Sequence, residues 1–374
     1  MTTEDLKQIR RHLHQNPELS TEEYQTKAFV KKKLEEIGVA NIQEVGGTGL
    51  AVFFKGEKPG KKILLRGDMD ALPIQETNDF EHKSKVDGVS HKCGHDGHTT
   101  IMLGVADRLQ KEGIDKGEVC LIFQPAEENG KGAKAILEDP NFSFKADKAF
   151  ALHNLPGYPL HKIVCRKGSF TAAAKSVIFK LHGKTSHAAE PERGINPGLA
   201  IARILNLSEE LSVKEIELDN FALITMVHVS MGEKSYGVSA GYGEVHLTLR
   251  TWRNDVMDKL EKDLVNRTHK IAATYGLELE EEWLELFDAN DNDKEAFEII
   301  KQSAEALNLE FEVKPTPNKW GEDFGLFTKL YKGAMFGVGS GENCPALHNP
   351  DYDYPDEITE TGVNMFVEIL KKAL

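Results

Sequence analysis

The chain has 374 residues, 40% of them hydrophobic and 28% charged, with 46 Lys and Arg against 60 Asp and Glu for a formal net charge of -14. That length accommodates two domains and a large core, and an acidic balance without a basic stripe excludes a nucleic-acid partner. No apolar run reaches bilayer length and MTTEDLKQIRRHLHQ lacks a signal-like core, so a soluble cytoplasmic protein with no membrane partner is expected.

The first segments read as helices. In STEE, Ser20 and Glu23 form a capping-box pattern before YQTKAFVKKKLEEIG, with Phe29, Val30, Leu34 and Ile37 on one face and Gly38 as the stop. Short apolar runs follow, GLAVFFKG, KKILLRGD, GEVCLIFQ and KAFALH, with a helix-like HTTIMLGVADRLQKEG between the second and third. Strands alternating with helices predict an α/β layer with a largely parallel sheet between helices. Ligands gather at the carboxyl ends of such strands, and here those ends carry GDMD, QPAEE and HN. From about residue 170 the pattern changes to KSVIFKLHG, FALITMVHVS and GEVHLTLRTW, which read as mainly antiparallel strands interleaved with helices at about 196–213 and 255–275. Helix–strand alternation resumes after ELEEEWLELFDANDND, and a helix from about residue 356 follows. The expected organisation is a discontinuous domain, 1–168 and 287–374, carrying a smaller α+β insertion at 169–286.

The stretch HKCGHDGH at 91–98 is dense in groups that bind metals. A hydrolytic metal site needs imidazole, thiolate or carboxylate acceptors at neutral pH. Cys93 and His95 are two apart, so both point one way in an extended loop, and Gly94 and Gly97 permit a tight path. The competing reading of Cys93 is a small buried hydrophobe; the four cysteines are too few and scattered for a disulfide framework and read as reduced. His98 reads as a helix N-terminal residue. In QPAEEN, Glu127 and Glu128 follow a strand and a proline, where a turn aims two carboxylates differently. One can then bind metal while its neighbour takes a proton from water. His153 in ALHN ends a strand and His348 in ALHNP sits in a late loop; taken alone, such a residue is more often a hydrogen-bonded structural histidine. Asp68 and Asp70 in RGDMD read as carboxylates that orient ligating imidazoles, or as a turn closing the strand. A Cys93 nucleophile would leave both glutamates and the distant histidines idle. No G-x-S-x-G elbow follows a strand, and a closed structural zinc site would want more cysteines nearby. A metal-dependent hydrolase uses the most residues.

Taken in order, GDMDALP, HKCGHDGH, QPAEE, LHN, GKTSHAAEP-x-x-G-INP, LTLRT, GEDF and LHNP-x-YD-x-PDE resemble the zinc amidohydrolases related to aminoacylase and carboxypeptidase G. The branch they resemble is that of hippurate hydrolase, auxin–amino acid conjugate hydrolases and N-acetyldiaminopimelate deacetylase, over nearly the whole chain. The resemblance implies a zinc-exopeptidase-type catalytic domain, with helices on both faces of a mixed sheet, and an inserted lid that often mediates dimerisation. A homodimer is therefore the expected assembly. It also implies two divalent metals, zinc first and manganese or cobalt as alternatives, held by Cys93, His95, Glu128, His153 and His348, with Glu127 as general base. His187 in GKTSHAAEP is implied to stabilise the oxyanion. Arg250 in LTLRT is implied to contact a substrate carboxylate, for which a guanidinium fork is suited. Their competing readings are a surface helix-cap histidine and an arginine bridging within the lid. One departure stands out: where the branch carries an N-V-I-P-like segment this chain reads SYGVSAGYGE, with Gly237 in place of the asparagine. The implied activity is hydrolysis of the amide bond of N-acyl amino acids or small related peptides. The alternatives are a dipeptidase or aminopeptidase on the same scaffold and a non-catalytic metal-binding relative.

Overall fold

Three of the apolar runs become parallel neighbours in the computed structural model, which describes residues 1–374 with the side chain of Glu285 set aside. Strand Lys58–Asp68 lies between Lys116–Gln124 and Lys148–Leu155, parallel to both. Lys332–Gly339 joins Lys148–Leu155, again in parallel. Antiparallel Gly49–Lys55 and Ile42–Val45 extend one side, and Ile163–Cys165 and Phe311–Val313 the other, giving an eight-stranded mixed sheet. Every residue of Lys148–Leu155 is buried, as a central strand with both faces covered requires. Helices His95–Glu112 and Ile358–Ala373 pack on each other and on Lys58–Asp68, while the short helices Gly132–Glu138 and Gly325–Leu330 pack together. Leu65, Met102, Leu121, Phe150, Phe336 and Phe366 belong to one continuous apolar core. Burying each such side chain is worth roughly 1.5–3 kcal/mol. Because the four central strands run parallel, their carboxyl ends share one edge of the sheet.

This sheet and its helices form one compact unit, Met1–Phe170, Asn290–Pro315 and Glu322–Leu374; a second comprises Thr171–Ala289 and Thr316–Gly321. The second unit has a four-stranded antiparallel sheet in the order Ala222–Met231, Tyr242–Thr251, Ala173–His182, Glu278–Phe287. Strand Tyr242–Thr251 alternates strictly between buried and half-buried positions after its first residue, the signature of a sheet with one face on a core. Val177, Phe179, Leu181, Val245, Leu247 and Leu249 supply that face, closed by helices Gly198–Leu211 and Asn254–Thr274. No helix among the described residues is long and apolar enough to cross a membrane.

Helix Tyr24–Ile37 ends as expected on Gly38 in the left-handed conformation, φ 91°, with Val30 and Leu34 buried and Phe29 and Ile37 packed against the core. The expected Ser20–Glu23 capping box does not form. Glu23 makes no cap hydrogen bond; Ser20 Oγ donates to Asp70 Oδ2 at 2.7 Å and Glu23 turns inward. Buried partners elsewhere in the fold outcompete the local helix end. A capping box does form at the preceding helix, Thr3–Gln15, between Thr2 and Asp5.

Candidate metal centre

Cys93 lies in the loop before helix His95–Glu112, and His95 opens that helix. The two glycines of this loop are required by close contacts. A Cβ on Gly94, φ 94°, would stand 2.5 Å from Asn154 Oδ1, and one on Gly97 would stand 2.3 Å from the Tyr354 ring. Glu127 and Glu128 follow strand Lys116–Gln124 through Pro125 and through Ala126, which is left-handed at φ 52°. The turn gives the two neighbouring carboxylates different further partners, although both reach His95 Nε2, Glu127 Oε2 at 3.9 Å. Glu128 Oε2 lies 3.5 Å from His348 Nε2 and its Oε1 3.8 Å from His95 Nε2, whereas Glu127 Oε1 accepts from the Asp323 N–H at 3.4 Å. His153 brings Nε2 to 3.5 Å from Cys93 Sγ. His348, itself left-handed at φ 65°, is tied to the metal loop by its N–H, which donates to the Lys92 carbonyl at 2.8 Å.

The donor atoms of Cys93, His95 and His153 lie within 4.8 Å of one another, and so do those of Cys93, Glu128 and His348. Cys93 belongs to both groups. The donors suit a pair of divalent cations, and two orphaned atoms support that fit: buried His95 Nε2 and Glu128 Oε1 have no hydrogen-bond partner. Leaving such an atom unpaired costs about 1–3 kcal/mol, which a cation would offset. The far sides of the imidazoles are fixed. His95 Nδ1 donates to the Asp70 carbonyl at 3.0 Å and lies 3.2 Å from Asp70 Oδ1, and His153 Nδ1 donates to the Asn154 carbonyl at 2.9 Å. Asp70 Oδ2 also accepts from the Glu128 N–H at 3.0 Å. Asp68 is occupied by Arg66 Nη1, at 2.6 Å, and by His98 Nδ1. His98 thus stands in the first turn of its helix as expected, and both aspartates orient neighbours of the cluster.

Arg66 is fully buried and pairs with Asp68, with Glu322 at 2.6 Å and with Asp323 at 2.8 Å, while its Nε donates to Gln124 Oε1 at 3.0 Å. Glu127 sits beside this knot. Burial, and then the carboxylates of Glu322, Glu128 and Asp323, push its carboxyl well above the usual range against the pull of Arg66. Burial likewise pushes Glu128 up to about 7 and raises the Cys93 thiol, with Glu128 and Glu127 adding to it. Burial and the neighbouring His98 hold His153 down in its neutral form, the form that ligates. A cation among these groups would favour the deprotonated thiol and carboxylates.

Full charges also brace the loop from beneath. Lys92 Nζ donates to Glu76 and, at 2.7 Å, to the Tyr352 carbonyl. Asp96 pairs with His14 Nδ1 at 2.8 Å. Burial alone would lower the His14 pKa, but its bonds to Asp96 and Glu76 raise it to about 9, so it stands as an imidazolium. Buried His91 joins none of the candidate metal groups among the described residues.

His187 and Arg250 belong to the second unit. His187 is exposed in the short strand Ser186–His187, and its Nδ1 accepts from the Ala189 N–H at 3.0 Å. Arg250 pairs in register with Ala174 and Leu223, and its Nη1 donates to the Lys319 carbonyl at 3.1 Å. Gly237 precedes the strand that pairs with His187; its carbonyl accepts from the Ala188 N–H at 3.0 Å, and a Cβ there would meet nothing within 4 Å. Sequence reasoning missed Arg66, Glu322 and Asp323 as companions of Glu127. GEDF was visible as a motif and Arg66 as a charge inside an apolar run, but neither signal names its partner.

Two donor groups sharing one thiolate at the carboxyl ends of parallel strands, with a carboxylate to spare beside them, define a metal-dependent hydrolase. Residues 64–372 match the profile of Peptidase family M20/M25/M40, and the chain belongs to that family. It is similar to the hippurate hydrolase of Campylobacter jejuni, 30% identical over 99% of this chain and 97% of the relative. To the N-acetyl-L-cysteine deacetylase of Bacillus subtilis it is 33% identical over 95% of this chain and 84% of the relative. The crystal structure of the Bacillus subtilis YxeP protein, a dinuclear metal-binding peptidase of the M20 family, superposes with a TM-score of 0.85 at 28% identity, covering 100% of this chain and 99% of that one. The chain is accordingly a metal-dependent amidohydrolase that binds two divalent metals.

Proposed function

We propose that this enzyme hydrolyses the amide bond of N-acyl amino acids. In this reading Cys93, His95, His153, Glu128 and His348 hold two zinc ions and Glu127 is the general base. The observation that carries it is Glu127: a buried carboxylate 3.9 Å from His95 Nε2 that belongs to neither donor group sharing Cys93, while an oxygen of it lies within 4.8 Å of the donor atoms of His95 and Glu128. The relatives support the chemistry, since hippurate and N-acetyl-L-cysteine are both acylated amino acids. A thiolate donor supports zinc over harder cations, with manganese or cobalt the other outcomes of metal analysis.

When bound, the ions supply Lewis acidity, making water a nucleophile at neutral pH and polarising the scissile carbonyl. Glu127 takes the proton of the attacking water and delivers it to the leaving amine. His187 donates to the tetrahedral oxyanion, and Arg250 pairs with the substrate carboxylate. Holoenzyme offered N-acetyl and N-benzoyl amino acids alongside free dipeptides is expected to cleave the acylated compounds. Turnover of the dipeptides alone would replace this reading with a dipeptidase.

A thiol that must remain a ligand supports a reducing compartment, the cytoplasm. For the assembly we infer a homodimer through the second unit. Its edge strand Ala222–Met231 exposes Met226, Val227, Val229 and Met231, and an apolar edge is a template for a second copy. Light scattering should give twice the chain mass for the native protein and the chain mass for Val227→Lys with Val229→Lys. A monomeric native protein would remove the proposal.

A further inference from the structure

Glu23 is fully buried, and no lysine or arginine pairs with it among the described residues. Its oxygens are taken up by the backbone and one hydroxyl. Oε1 accepts from the N–H of Thr21 at 3.0 Å and of Ala126 at 2.8 Å, and Oε2 from the Thr48 hydroxyl at 2.5 Å. Both backbone donors are left-handed residues other than glycine, Thr21 at φ 74° and Ala126 at φ 52°. Such conformations persist only where the surroundings over-determine them. One buried oxygen therefore holds two strained residues at once. Ala126 is pinned from its other side too, its carbonyl accepting from Lys131 and Gly132 at 3.1 and 2.9 Å. The next two residues are Glu127 and Glu128.

We propose that Glu23 is a positioning residue: by accepting from the Ala126 N–H it sets the left-handed turn that aims Glu127 at the attacking water. The proposal rests on the assignment of Glu127 as general base. It also accounts for the STEE segment as a whole, because Ser20 donates to the same Asp70 oxygen that receives the Glu128 N–H. One short stretch thus secures both ends of the carboxylate pair.

The clamp needs an acceptor, not a charge, and that separates two variants. Glu23→Gln keeps an amide oxygen for Thr21 and Ala126 and turns its NH2 toward the Thr48 oxygen. Glu23→Met fills similar volume and removes the acceptor. Per folded, metal-loaded enzyme, measured by circular dichroism and metal analysis, Glu23→Gln should stay within about threefold of native kcat. Glu23→Met should lose on the order of 10–100-fold in kcat with KM nearly unchanged, the cost of misplacing a catalytic group by about 1 Å. In a Glu127→Gln background, Glu23→Met should cost nothing further, since the group it positions is gone. Native kcat in Glu23→Met, equal loss in both variants, or a full additional loss in the double variant would each overturn the proposal. If Glu23→Met does not fold, Glu23→Asp withdraws the acceptor by one methylene and is held to the same outcomes. Glu127→Gln alone separates the two failures. Full activity there removes the base assignment, whereas an inactive Glu127→Gln beside an unimpaired Glu23→Met removes only the positioning role.

Discussion

Glu127→Gln is expected to retain both metal ions and to lose about 10²–10⁴-fold in kcat, the range of a general acid–base group. The amide is the same size as the carboxylate, and although Glu127 lies within 4.8 Å of the His95 and Glu128 donors, the two groups sharing Cys93 are complete without it. The substitution therefore removes proton transfer and little else. KM should change far less than kcat, because the proton moves only in the reacting complex. The surroundings sharpen this result. Glu127 is crowded by Glu322, Asp323 and Glu128, with Arg66 as the one opposing charge among its leading influences. A neutral amide relieves that crowding, so the variant should be at least as stable as the native enzyme while nearly inert. Native turnover in Glu127→Gln, measured at full metal occupancy, would remove it as the base.

Cys93→Ser is the second large effect, and its signature is stoichiometric. Cys93 is common to both donor groups, whereas His153 and His348 serve one each. Replacing the shared thiolate with a hydroxyl, a poor ligand for a soft-leaning cation, should weaken both sites together. Replacing His348 with Ala should weaken one. The loss at Cys93 should exceed the roughly 10–100-fold in metal affinity that removing an outer-shell partner costs. Metal analysis after dialysis against a weak chelator should find both ions depleted in Cys93→Ser and one retained in His348→Ala. Retention of two ions in Cys93→Ser would rule out the shared thiolate.

The parts of this enzyme legible in the sequence are those whose signals are local. Apolar runs ending in GDMD, QPAEE and HN gave away a row of parallel strands, because a buried strand and its carboxyl-end loop are contiguous in the chain. The C-x-H spacing and two glycines of the metal loop were equally visible, although only the fold shows why the glycines are needed: Asn154 and Tyr354 occupy the space. STEE misled for the opposite reason. Its spacing fits a capping box, yet Ser20 and Glu23 bond to Asp70, Thr48 and Ala126, and no local pattern distinguishes the two uses. Arg66 and its partners Glu322 and Asp323 are more than 250 positions apart, so their pairing exists only once the sheet has formed.

The place of Lys332–Gly339 in the sheet bears on how the enzyme comes into being. That strand lies inside the sheet, between Lys148–Leu155 and Ile163–Cys165, although it is the last strand among the described residues. A polypeptide halted at residue 331 already contains four of the five proposed ligands and the whole of the second unit with its own core. It still lacks the strand that closes the gap and the loop that brings His348. During synthesis the second unit can therefore fold ahead of the first, while the metal cluster waits for the segment that carries Lys332–Gly339 and His348 to leave the ribosome.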